Sequence, residues 1–162
     1  MILEKHPDIE RILISEEIIG KRVRELGGEI SRDYGKKSPV LVSILKGSVI
    51  FLSDLLRAMT VPCSIDFMSA ASYTGETSTG IVRLLLDLRE NVQDRDILII
   101  EDIVDTGLTL SYLQQDLRTR HPRSLEICTL LEKPEGRRIE VKPKYIGFQI
   151  PDEFVVGYGL DY

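Results

Sequence analysis

Five short apolar runs, separated by segments whose apolar residues recur every three or four positions, set the tightest limit on how this chain can fold. The runs are Val40 to Leu45, Cys63 to Met68, Ile81 to Leu86, Ile97 to Ile100 and Leu125 to Leu131. Such runs suit strands buried on both faces of a parallel sheet. The segments between carry helical stripes: Ile19, Val23, Leu26 and Ile30 after Ser15; Leu52, Leu55, Leu56 and Met59 after Ser48; Leu110, Leu113 and Leu117 after the fourth run. Ser15 offers an N-cap, and Glu16 and Glu17 suit a first helical turn. Gly27 and Gly28 weaken that first helix by about 1 kcal/mol each relative to alanine. Arg11 to Ile14 reads as one more short strand before it. Strands alternating with helices predict an α/β fold with a mainly parallel sheet, whose ligands bind beyond the carboxyl ends of the strands.

The bulk properties narrow the class. The 162 residues make one domain with room for a sizeable core. A net charge of −5 supplies no basic footprint for nucleic acid. No apolar stretch approaches the ~20 residues of a membrane helix, and Met1 to Glu10 is charged, without an apolar signal core. Cys63 and Cys128 lie in or beside apolar runs and read as small buried residues of a reduced, cytoplasmic protein. His6 and His121 fall outside every motif, match no zinc spacing and read as surface residues.

The most informative stretch runs from Ile97 to Thr109. Four apolar residues end abruptly in Glu101 and Asp102. Two adjacent carboxylates are costly to bury without partners, and taken alone they fit a solvated strand end equally well. Asp105-Thr106-Gly107-Leu108-Thr109 follows and links strand to helix. It supplies a glycine, two hydroxyls and free backbone N–H groups near a helix N-terminus, the physical requirements of a phosphate cradle. Carboxylates for sugar hydroxyls or Mg²⁺ therefore directly precede donors for a phosphate, as a ribose 5-phosphate requires. The Gly-Lys-Ser/Thr ending of a P-loop and the Gly-x-Gly-x-x-Gly dinucleotide turn are both absent.

This order of apolar strand, two acids, two apolar residues and Asp-Thr-Gly-x-Thr closely resembles the signature of the phosphoribosyltransferase family. The resemblance extends from about residue 10 to residue 162, and it is to the hypoxanthine-guanine branch. It implies a type I phosphoribosyltransferase-like fold: one domain over residues 1–162, with a mainly parallel central sheet flanked by helices and a small base-binding hood built from the N-terminal and C-terminal segments. Four further segments carry it. Leu45-Lys46-Gly47-Ser48 by itself reads as a plain strand-to-helix turn. The resemblance makes it a pyrophosphate loop, bound through Lys46 and Gly47, with a cis peptide before the lysine. Ser72 and Tyr73 open the polar stretch Ser72 to Gly80, a long connection between strands that the resemblance turns into a lid over the reacting groups.

Leu130-Leu131-Glu132-Lys133-Pro134 places a lysine after a strand. In the family the matching lysine donates to the 6-oxo group of the purine, and an ammonium has donors and no acceptor. It suits hypoxanthine or guanine and opposes adenine. Finally, the stretch from Ile150 to Tyr162 could form an edge strand. The resemblance instead implies that Phe154 stacks on the base, a contact of about 1–3 kcal/mol. It also implies that the backbone around Val155 reads the base edge and that Asp161 lies near the base and Mg²⁺-pyrophosphate. Relatives usually continue past this Asp-Tyr pair into a segment with an arginine that reaches pyrophosphate. The sequence given ends at Tyr162, a departure that bears on pyrophosphate affinity and turnover more than on the fold.

The implied reaction converts phosphoribosyl pyrophosphate and hypoxanthine or guanine to IMP or GMP plus pyrophosphate, a step of purine salvage, with Mg²⁺ as cofactor. Glu101, Asp102 and Asp161 are the implied metal ligands. Asp105 is the implied proton acceptor, and Thr106, Gly107, Leu108 and Thr109 hold the phosphate. Neither a nucleic acid nor a membrane is an expected partner, and a homodimer or homotetramer is the expected assembly. The rival reading is a regulator that binds phosphoribosyl pyrophosphate without turnover. Lys133 and the Phe154 segment argue against it, because a sensor of the sugar needs no purine hood.

Overall fold

A computed structural model, describing residues 9–73 and 81–161, contains a strand at each of the five apolar runs and one more, at residues 145–149. In chain order the elements are α1 (Glu16–Tyr34), β1 (Val40–Ile44), α2 (Val49–Ala58), β2 (Ser64–Tyr73), β3 (Ile81–Leu86), β4 (Asp96–Val104), α3 (Leu108–Arg118), β5 (Ser124–Glu132) and β6 (Tyr145–Gln149). They make one sheet in the order β3-β2-β1-β4-β5-β6. Every pairing is parallel except that of β2 with β3.

Alternation along the central strands divides the core into two layers. Leu41, Leu98, Ile100, Cys128 and Leu130 face α1 and α2, where Val23, Leu26, Ile30, Phe51 and Leu55 complete the packing. Val40, Val42, Ile97, Ile99 and Ile127 face the other way, against Leu110, Leu113 and Leu117 of α3. All five positions of β1 are buried, as the unbroken apolar run requires.

Arg11 to Ile14 is not a strand. Ile12 is 75% exposed, and the segment simply leads into α1. A β-rich tetrad needs an edge to pair with, and the edges of this sheet are β3 and β6. Ser15 does cap α1: its side chain accepts a hydrogen bond from the Ile18 N–H. Cys63 is half-buried and Cys128 fully buried, and both are free thiols. His121 is exposed, while His6 lies outside the described residues.

The two helix glycines differ. A Cβ on Gly27 would sit 2.6 Å from the Ala58 Cβ and 2.7 Å from its backbone carbonyl, so the glycine lets α1 cross the end of α2 closely. A Cβ on Gly28 would meet nothing within 4 Å. Gly27→Ala is therefore expected to destabilise by about 1–3 kcal/mol through overpacking, despite alanine's better helix propensity. Gly28→Ala should instead stabilise by up to ~1 kcal/mol. Urea unfolding of the two variants checks this, and equal shifts of the same sign would contradict it.

The strand order reverses at β1. The chain passes from β1 through α2 to β2 on one side, and β4 lies on the other. The carboxyl ends of β1 and β4 thus flank a topological switch point, the place where open α/β sheets bind ligands.

Candidate active site

The loops leaving β1 and β4 line a cleft of about 270 Å³ at that switch point. Lys46 and Gly47 come from the first loop; Glu101, Asp102, Asp105, Thr106, Gly107 and Thr109 come from the end of β4 and the turn into α3. Asp161 arrives from the C-terminal segment. The peptide between Leu45 and Lys46 is cis, as the resemblance implied.

Two helices begin at this cleft, and neither is capped by the side chain of its N-cap residue; the Leu108 N–H of α3 donates to the Thr106 hydroxyl at 3.4 Å and the Val49 N–H of α2 to the Lys46 carbonyl at 3.2 Å. α3 starts at Gly107, which has φ of 82° and caps nothing with a side chain. α2 starts at Ser48, whose hydroxyl donates to the Ile44 carbonyl at 2.5 Å and so does not cap the helix. Neither helix has an acidic residue in its first turn. By contrast α1, which begins elsewhere, has both the Ser15 cap and two acids. An uncapped N-terminus keeps N–H donors and the positive end of the helix dipole available for an anion. Gly107 is required here twice over. Its φ is one that side chains avoid, and a Cβ would lie 2.6 Å from the Ile139 carbonyl oxygen. The cradle is held from behind, since the Thr106 carbonyl accepts from the Arg138 and Ile139 N–H groups at 2.9 and 3.0 Å.

Glu101 and Asp102 lie near the carboxyl end of β4 on the cleft wall, half-buried. Burial first, and the Asp102 carboxylate second, push the Glu101 carboxyl well above the usual range. Gly47 fits tightly against this pair, because a Cβ there would overlap the Asp102 carboxylate. The C-terminal turn closes the other side. Gly159 rests on the Gly47 carbonyl, where a Cβ would come within 2.6 Å, and the Tyr158 hydroxyl donates to Asp54 of α2 at 2.5 Å. This packing is what delivers Asp161 to the cleft.

The donor chemistry fits a hard divalent cation. Glu101, Asp102 and Asp161 all line one cleft, and a cation there would offset the burial and the neighbouring carboxylate that hold the Glu101 carboxyl above its usual range. Among the described residues no three acidic, histidine or cysteine side chains converge closely enough to hold a metal unaided. A cation here would draw part of its coordination from substrate oxygens and water, as Mg²⁺ commonly does.

Lys133 follows β5 at the rim of the cleft. Its side chain is 9% exposed, and its ammonium nitrogen lies 3.8 Å from Asp105 Oδ2 and 3.6 Å from Asp152 Oδ1. The Lys133 N–H donates to the Val104 carbonyl at 2.9 Å, which fixes the lysine beside β4. A half-buried network supports the loop beyond it: Arg137 donates to Glu132 and to the Val141 carbonyl, at 2.8 and 2.7 Å, and Gln149 donates to the other Glu132 oxygen at 3.2 Å. Phe154 is 78% exposed and stands outside the cleft, while Val155 is half-buried against the α1/α2 side of the core. Leu108 is half-buried at the start of α3. Ser72 and Tyr73 end β2; their side chains, and residues 74–80 of the expected lid, lie outside the described residues.

Sequence reasoning missed Asp152, Gly136 and the Glu132–Arg137 pair. Asp152 depends on a contact between the β5 loop and the C-terminal segment, Gly136 on the approach of that loop to Asp105, and the Glu132–Arg137 pair on the fold of the loop itself. The one local signal was Pro151, which marks a loop immediately before Asp152.

Residues 10–162 match the phosphoribosyl transferase domain family. The chain belongs to the phosphoribosyltransferase family. This phosphoribosyltransferase is 50% identical to the hypoxanthine-guanine phosphoribosyltransferase of Bacillus subtilis over 159 residues, which cover 98% of the chain and 88% of the relative. It is also 50% identical to the Mycobacterium avium hypoxanthine-guanine phosphoribosyltransferase, over 96% of the chain and 80% of that protein. The crystal structure of a hypoxanthine phosphoribosyltransferase from Staphylococcus aureus superposes with a TM-score of 0.92 at 49% identity, covering 96% of this chain and 85% of the other. The type I fold expected from the sequence is thereby borne out.

Proposed function

We propose that this phosphoribosyltransferase acts in purine salvage, transferring the 5-phosphoribosyl group of phosphoribosyl pyrophosphate to hypoxanthine or guanine. The observation that carries the base assignment is the pairing of a buried, donor-only ammonium with a carboxylate 3.8 Å away at the cleft rim. A 6-oxopurine presents an acceptor, its 6-oxo group, beside the ring nitrogen N7. Lys133 complements the first and Asp105 the second. The identity to relatives that carry this activity in their names supports the same reading.

In this reading the N-terminus of α3, with Thr106 and Thr109, holds the 5-phosphate, and the Lys46-Gly47 loop holds pyrophosphate. A ring nitrogen of the base forms the bond to the anomeric carbon. The bond from that carbon to pyrophosphate breaks, its electron pair leaving with pyrophosphate. Asp105 takes the proton lost from the base at N7, and its charge stabilises the oxocarbenium-like ribose. Glu101 and Asp102 orient the ribose hydroxyls and, with Asp161, hold Mg²⁺. When bound, Mg²⁺ supplies neutralisation of the leaving pyrophosphate. Phe154 and the Val155 backbone, in a hood formed with the N-terminal segment, cover the base. The Arg11–Glu153 ion pair, at 2.7 Å to both carboxylate oxygens, supports that grouping.

Among the described residues no helix is long and apolar enough to cross a membrane. A cytoplasmic homodimer or homotetramer is the state this reading carries, and sedimentation analysis tests the assembly. The central experiment measures Mg²⁺-dependent pyrophosphate release with hypoxanthine, guanine and adenine. Turnover of both oxopurines in excess of adenine is expected. Adenine as the best substrate would overturn the base assignment, and binding of phosphoribosyl pyrophosphate without turnover of any base would favour the regulator.

A further inference from the structure

Lys133 has two carboxylates and one task, and the geometry points to a division of labour between them. We infer that Asp152 is a positioning residue for base recognition: it keeps the Lys133 ammonium aimed at the base while Asp105 is released for proton transfer. The inference rests on the reading of Lys133 and Asp105 given above.

The Lys133 side chain is 9% exposed, whereas those of Asp105 and Asp152 are 48% and 57% exposed. A nearly buried ammonium cannot rely on water and needs acceptors from the protein. The separations, 3.8 Å to Asp105 and 3.6 Å to Asp152, both exceed direct hydrogen-bond length. Neither carboxylate holds the lysine alone, and an incoming acceptor can join the group without breaking a short bond.

Asp105 as the sole counter-charge would meet a conflict. To accept a proton from the base it must turn to N7, and a tight pair with lysine would lower its basicity. Asp152 removes the conflict, because it keeps the ammonium compensated while Asp105 serves the base. Its placement is fixed by backbone. The Ile150 N–H donates to the Glu132 carbonyl at 2.9 Å, so the segment carrying Asp152 is pinned beside the residue before Lys133. Gly136 leaves space for the group, since a Cβ there would lie 2.5 Å from Asp105 Oδ1 and 3.5 Å from Asp152 Oδ1. Asp152 also lies two residues before Phe154, so one short segment carries both the anchor of the lysine and the ring proposed to cover the base.

The test is a double-mutant cycle on the full chain: Asp152→Asn, Lys133→Gln and the pair, with steady-state constants for each substrate and thermal unfolding of each variant. Asp152→Asn is expected to raise KM for hypoxanthine and guanine about tenfold, with KM for phosphoribosyl pyrophosphate and the unfolding temperature held. Asp152→Glu should recover most of the loss. In the Lys133→Gln background, Asp152→Asn should add nothing, because the residue acts through the lysine. Losses that multiply in the double variant, or no loss in the single one, would overturn the inference while leaving the base pocket intact. A Lys133→Gln variant with wild-type constants for both oxopurines would instead overturn the base-pocket reading itself, and the role of Asp152 with it.

Discussion

Replacing Asp105 by asparagine is expected to lower the single-turnover rate of bond formation by ~10²–10⁴-fold, the contribution typical of a well-placed acid-base group. Binding of phosphoribosyl pyrophosphate should change little. Asparagine keeps the shape of the side chain, so the close approach of Gly136 to Asp105 Oδ1 is not disturbed. It removes the charge and the ability to take a proton. Rapid-quench measurement under single-turnover conditions separates the chemical step from product release. A normal chemical step with poorer sugar binding would give Asp105 a structural or binding role and remove it from proton transfer.

Lys133→Gln is expected to cost roughly 1.5–3 kcal/mol in kcat/KM for hypoxanthine and guanine, because a charge-assisted hydrogen bond is lost. The same change should relax the rejection of adenine. The glutamine amide can accept as well as donate, so the opposition between ammonium and 6-amino donors disappears. Lys133 is 7% exposed and its side chain ends among Asp105 and Asp152, on the β5 side of the cleft. Affinity for phosphoribosyl pyrophosphate should therefore hold. The measurement is kcat/KM for all three bases, with a separate titration of the sugar substrate. An unchanged base preference with collapsed sugar binding would move Lys133 to the phosphate site.

The central strands were legible because their chemistry is local. Val40 to Ile44 is apolar at all positions but Ser43, and every side chain is buried. The step from Ile100 to Glu101 marks where β4 leaves the core for the cleft. β6 was not legible. Tyr145-Ile146-Gly147-Phe148-Gln149 is short and interrupted by glycine, and its position at the sheet edge depends on pairing with Cys128 to Glu132. Arg11 to Ile14 failed in the opposite sense: its residues favour a strand, and no sheet edge meets them. Within the site, residues on one contiguous motif were found from the order of side chains alone. Asp152 was not, because a carboxylate in an exposed loop carries no mark of the lysine it meets across 19 residues of chain.

The adjacency of β1 and β4 acts as a ruler. Their backbones pair directly, Val40 with Ile97 through Ser43 with Ile100. Paired strands stand about 4.8 Å apart whatever their side chains. The two loops proposed to receive the ends of the sugar substrate grow from those neighbouring strands, so their spacing at the base is set by peptide hydrogen bonds. Side-chain drift in the core can reshape packing on either face without changing that span. In the proposed function, the reach of the site along a phosphorylated ribose is thereby written into the sheet, and the choice of base is left to the more adaptable segments at its rim.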